Sequence, residues 1–200
     1  LDRFTQSKPK VLFVSDGYFY KGQKVNLFKK INQIQNGLSS VEKIIYVSII
    51  NSNDLKPHKS WNSINDNSNK IEFASLPFSH PLYIMYSSGT TGKPKSIVHS
   101  AGGTLIQHLK ELLIHCDLKK NDKIFYFTTC GWMMWNWLVS GLYSGATIVL
   151  YDGNPFYPKN DSLLKIANDI NISIFGTSAK YISHLEQINV KPNKYNFKNL

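Results

Sequence analysis

Apolar and polar positions alternate along the chain in short blocks, and the block lengths separate strands from helices. The run "KVLFVSD" (Lys10–Asp16) is a brief apolar stretch ending in turn-forming residues, the pattern of a buried strand. Val25, Phe28, Ile31 and Ile34 recur at helical spacing up to Gly37, a natural stop. "KIIYVSII" (Lys43–Ile50) reads as a second strand. Strand, helix, strand in this order predicts a βαβ unit, with parallel strands and a covering helix.

Residues 51–70 are rich in Asn, Ser, Asp and Lys without any period, which predicts an exposed loop. Beyond it, "PLYIMYS" (Pro81–Ser87) and "SIVHS" (Ser96–Ser100) read as strands. Leu105, Leu109, Leu112 and Leu113 are expected to line one face of a helix whose other face carries Gln107, Lys110 and Glu111. "KIFYFTT" (Lys123–Thr129), "ATIVLYD" (Ala146–Asp152) and "ISIFGTS" (Ile172–Ser178) continue the alternation. The predicted fold class is α/β, layered sheets with covering helices. It divides into a partial α/β subdomain over residues 1–79 and a second α/β subdomain over residues 80–200.

No charged residue stands between Ile124 and Tyr151, a length that could cross a bilayer. Gly131, Gly141 and Gly145 punctuate this run, and Asn136, Ser140, Ser144 and Thr147 interrupt it, so it reads as buried strand, loop, helix and strand rather than a membrane span. The net charge is +10, from 23 basic and 13 acidic residues. Arg3 is the one arginine, and the lysines are scattered along the whole length. A nucleic-acid groove would cluster Arg and Lys among aromatics, so no nucleic-acid partner is expected, although an anionic substrate gains from the field. Cys116 and Cys130 give no disulfide framework, which fits a reducing cytoplasm. His108 and His115 lack further ligands at zinc spacing and read as structural.

The chemistry concentrates in "YSSGTTGKPKS" (Tyr86–Ser96), where glycines, hydroxyls and lysines follow a strand. Glycine lets backbone N–H groups approach an anion, hydroxyls add donors and lysines add charge, so the loop suits phosphate. It is not a Walker A loop: Ser87 stands where the first Gly belongs, and Pro94 follows Gly-Lys in place of Ser or Thr. "SIVHS" after it is a strand pattern, so the element is strand–loop–strand.

"SSGTTGKPK" (Ser87–Lys95) resembles, at every position, the signature loop of the AMP-forming, adenylate-forming superfamily. "VHSAGGTLIQHLKELLIH" (Val98–His115), "GWMMWNWLVSGLYSGATIVLYDGNP" (Gly131–Pro155), "FGTSAKYISHLE" (Phe175–Glu186) and the opening "LDRFTQSKPKVLFVSDGYFYKG" are similar to its acetoacetate–CoA ligase branch. Met133, Met134, Trp135 and Asn136 stand where acetyl-CoA synthetases typically carry Thr-Gly-His. The resemblance implies a ligase acting on a small-molecule carboxylate with ATP, Mg²⁺ and coenzyme A. It places Ser87, Ser88, Gly89, Thr90, Thr91, Gly92, Lys93 and Lys95 at the ATP phosphates, with Thr90 near the magnesium ion. It also implies an acyl pocket walled by Trp132, Met133 and Trp135 and, opposite, by Gly176, Thr177, Ser178 and Ala179. The family's adenine, ribose and hinge motifs and its C-terminal catalytic lysine have no match here. The expectation is a central slice of the large N-terminal domain, inactive by itself. Two alternatives stand beside this reading: another short-chain acyl-CoA synthetase, and a nucleotide-binding module without chemistry.

Overall fold

Val11–Ser15 and Lys43–Val47 pair as parallel strands across a helix, so the predicted βαβ unit forms. The computed structural model describes residues 1–52, 58–64, 70–88 and 92–200. The chain divides into two compact units, Leu1–Ser100 and Ala101–Leu200.

In the first unit, α1 (Phe4–Ser7) precedes β1 (Val11–Ser15), a hairpin of β2 (Gly17–Tyr20) and β3 (Gln23–Asn26), α2 (Phe28–Asn36) and β4 (Lys43–Val47). Leu12, Ile31 and Ile44 form its core, one side chain from each arm of the βαβ unit. The β2–β3 hairpin, which the apolar pattern does not announce, turns on Lys21 and Gly22, both at positive φ, 49° and 76°. Two such residues make the tight turn that matches strand twist. The predicted loop over 51–70 is partly ordered: β5 (Lys59–Ser60) adds to β4 in parallel, followed by a 3₁₀ turn at Trp61–Ile64. Residues 53–57 and 65–69 of that loop lie outside the described residues.

Asp16 closes this unit from within. It is 1% exposed, and its carboxylate accepts from the N–H groups of Ile49, Ile50 and Ser52 and from the Ser48 hydroxyl. Burial acts to raise its pKa, yet these donors together hold it below the ordinary aspartate value. The unit ends in an antiparallel hairpin, β6 (Pro81–Ser87) and β7 (Lys95–Ser100).

In the second unit, α3 (Ala101–Leu109) runs into a π-helical turn at Lys110–His115, followed by β8 (Lys123–Tyr126), α4 (Met133–Ser140), β9 (Thr147–Val149), α5 (Ser162–Asp169), β10 (Ile174–Gly176) and α6 (Ala179–Gln187). The three strands form a parallel sheet in the order β10–β8–β9. Adjacent residues of β8 bury opposite faces, as strand geometry requires. Ile124 packs with Leu112, Trp137 and Leu138, and Phe125 packs with Leu163, Tyr181 and Leu185. Both faces are dry, which is why the strand reads as an unbroken apolar run.

The face predicted for the α3 region is corrected. Thr104, His108 and Leu112 are buried, whereas Leu105 and Leu113 are exposed. The π turn displaces residues after Leu109 from the 3.6-residue count. Among the described residues, no helix is long and apolar enough to cross a membrane.

Candidate functional site

The described residues of the expected phosphate loop sit at the end of the β6–β7 hairpin. Ser87 pairs with Lys95 and Tyr86 with Ser96, so the ladder closes directly beneath the loop. Ser87, Ser88, Gly92, Lys93 and Lys95 are all exposed. Gly89, Thr90 and Thr91, and with them the expected magnesium neighbour, lie outside the described residues. Gly92 has φ +99° and open space on its side-chain side, so glycine there answers a backbone demand rather than crowding. Neither Lys93 nor Lys95 takes part in an ion pair among the described residues. The hairpin therefore presents cationic side chains and a permissive backbone, the donor set a polyphosphate needs.

A second feature is built into the Ala101–Leu200 unit. β8 is followed by α4, which covers the Ile124 face; neighbouring β10 is followed by α6, which covers the Phe125 face. Open α/β sheets bind ligands at strand carboxyl ends, where adjacent parallel strands send their helices to opposite sides. The sequence-predicted pocket residues fall on these two strand ends. Trp132 is extended at the entrance to α4 and 66% exposed, with Met133 beside it at 52%. Trp135 is half-buried in the first turn of α4.

On the other strand end, Gly176 is dictated by contact. A Cβ there would lie 2.1 Å from the Tyr126 ring, which reaches over it from the paired position on β8. Tyr126 in turn meets Trp137 edge-on at 5.9 Å. Thr177 has a buried Oγ1 without a hydrogen-bond partner among the described residues, a polar group for water or ligand to satisfy. Ser178 caps α6 by accepting from the Tyr181 N–H at 3.2 Å, and Ala179 begins the helix. Tyr126 went unnoticed in the sequence, and its pairing with a glycine across the sheet is the only signal it carries.

Two groups are removed from the chemistry. The His108 ring is buried and hydrogen-bonds the Ser140 hydroxyl at 2.9 Å, so it is structural, as its spacing suggested. Burial, with Asp161 adding to it, pushes the Tyr181 hydroxyl up to about 12, so it stays protonated at neutral pH. Among the described residues, no three His, Cys, Asp or Glu side chains come together as a metal site.

Known proteins share this arrangement. The family model described as "AMP-binding enzyme" matches residues 2–199. The chain is 45% identical to an acetoacetyl-CoA synthetase of Gallus gallus, covering 96% of the chain and 30% of that protein. It is 47% identical to an acetoacetyl-coenzyme A synthetase of Rhizobium meliloti, covering 91% and 29%. The solved acetoacetyl-CoA synthetase from Streptomyces lividans superposes with a TM-score of 0.94 at 40% identity, over 100% of the chain and 31% of that structure. The chain thus spans about 30% of the length of the relatives it matches.

Proposed function

The chain belongs to the AMP-binding enzyme family, and on that premise we propose that it supplies the phosphate-loop part of an AMP-forming acetoacetate–CoA ligase of the cytoplasm. The observation that carries this reading is identity of 40–47% to acetoacetyl-CoA synthetases over nearly the whole chain. The reaction has two halves. A carboxylate oxygen of acetoacetate attacks the α-phosphorus of ATP, and pyrophosphate leaves; the thiol of coenzyme A then attacks the acyl-adenylate carbonyl, and AMP leaves.

The chain's own contribution is electrostatic, because the first half brings two anions together. Ser87, Ser88, Gly89, Thr90, Thr91 and Gly92 donate hydroxyl and backbone N–H groups to the β- and γ-phosphates, and Lys93 and Lys95 add charge. Mg²⁺ bound with ATP would spread phosphate charge, and the Thr90 hydroxyl is the group that would help hold it. Trp132, Met133 and Trp135, with Gly176 to Ala179 opposite, wall the acyl group at the strand-end crevice. The indole and thioether side chains on one strand end, with the small residues Gly176 to Ala179 on the other, suit a small acyl group.

The test is carboxylate-dependent ATP–pyrophosphate exchange by the full-length protein with acetoacetate, acetate, propionate and butyrate. Exchange strongest with acetoacetate is expected. Preference for another acid discards the substrate and keeps the phosphate loop; binding of ATP without exchange on any acid replaces the ligase by a nucleotide-binding module.

A further inference from the structure

Both stems of the phosphate-loop hairpin are tied to the first residues of the chain. The Tyr86 hydroxyl, on β6, donates to the Arg3 carbonyl at 2.9 Å. The Gln6 side-chain amide donates to the Pro94 carbonyl at 2.8 Å, across a sequence separation of 88, and to the Asp2 carbonyl at 2.7 Å. A carboxamide NH₂ has two hydrogens, and both are used. Proline lacks an N–H, so its carbonyl is the only backbone group through which residue 94 can be held. Tyr86 and Pro94 immediately precede Ser87 and Lys95, the pair that closes the ladder. The two ties therefore grip the chain where it enters and where it leaves the loop. Leu1, Asp2, Arg3 and Phe4 also line a hollow of about 360 Å³ with Ile34 and Pro94, which seats the same segment against α2.

Leu82, Ile84, Ile97 and Val98 are all about half exposed, so among the described residues the hairpin gains little from packing. From these ties we propose that Gln6 and Tyr86 are positioning residues for ATP: they hold the two stems of the hairpin so that Lys93 and Lys95 meet the polyphosphate together. The assignment rests on the reading of the hairpin as the ATP-phosphate holder. It is invisible in the loop motif, because the residues that do the holding lie some eighty positions upstream or carry no phosphate-binding chemistry of their own.

The experiment uses the full-length protein. Gln6→Ala removes both amide donors, Gln6→Glu sets a carboxylate against two carbonyl oxygens, and Tyr86→Phe removes the second tie alone. In ATP–pyrophosphate exchange, KM for ATP is expected to rise about threefold to tenfold in Gln6→Ala and Tyr86→Phe, and further in Gln6→Glu. KM for the carboxylate and the melting temperature stay within error of wild type. An unchanged KM for ATP in Gln6→Glu, or equal rises in both KM values, overturns the proposal. Should the wild-type protein show no exchange with any acid, the ligase reading falls separately, and amide hydrogen exchange tests the ties by themselves. Lys95, Ser96 and Ile97 are then expected to exchange about threefold to tenfold faster in Gln6→Glu, and unchanged rates overturn the proposal.

Discussion

The β6–β7 hairpin and the β10–β8–β9 sheet are both candidate ligand platforms, yet they are held by opposite means. The sheet is buried on both faces: Ile124 and Phe125 are 0% and 1% exposed, and each belongs to a different apolar cluster. The hairpin carries half-exposed aliphatic side chains and depends on hydrogen bonds to a distant segment. A packed frame would suit strand ends proposed to hold a small acyl group in one shape. A loop proposed to meet a polyanion presents polar donors and charge to solvent, and within the described residues its stems are fixed by hydrogen bonds. Packing is replaced there by ties to carbonyl groups.

The largest expected effect tests the packed side of this contrast. Phe125→Ala should lower stability by about 3–5 kcal/mol, the range for a truncated buried aromatic, whereas Val98→Ala on the hairpin should cost less than about 1 kcal/mol. Urea denaturation of the full-length protein reads both; equal costs would break the comparison. Next comes Asp16, which supports the hairpin's own unit with a buried carboxylate. Asp16→Asn should cost about 2–4 kcal/mol, because donors now aimed at a carboxylate lose an acceptor.

The pH dependence has a definite sign. Burial opposes it, yet the donors around Asp16 hold its folded-state pKa below the ordinary aspartate value, so its contribution is complete above that ordinary value and disappears as pH falls through the lower folded value. Acid titration of stability below about pH 4 should therefore be flatter in Asp16→Asn than in wild type. The smallest effect on stability and the clearest on function belong to Lys95→Ala. Exposed and without an ion pair among the described residues, it should leave the urea midpoint unchanged while kcat/KM for ATP falls about tenfold to a hundredfold. A parallel loss of stability would blur the line between the two regions.

Much of this was legible because it is local. The strand runs Lys10–Asp16, Lys43–Ile50 and Lys123–Thr129 each contain the strand observed, shortened at the ends. The loop motif announced a strand–loop–strand element, and β6 and β7 flank it as expected. The β2–β3 hairpin was missed because its turn uses Lys21 ahead of Gly22 instead of the usual Asn or Asp, and Tyr18, Phe19 and Tyr20 show no alternation. The buried face of α3 was missed because Thr104 and His108 face inward while Leu105 stays exposed, a choice set by the Ser140 hydroxyl and the sheet, not by hydropathy.

The sequence by itself determined what spacing within a few residues can determine: most strands and helices in their order, the strand–loop–strand form of the Ser87–Lys95 segment, and the uncharged core of the second half. Only the tertiary structure decided which side chains meet. It set Tyr126 over Gly176, gave Asp16 its ring of donors, and brought Gln6 to Pro94. Local propensity acts through a residue's own backbone and its near neighbours, and so it is written in the order of residues. Partners far apart along the chain are chosen by packing and by the need to satisfy every buried donor and acceptor, and these conditions exist only once the chain has folded.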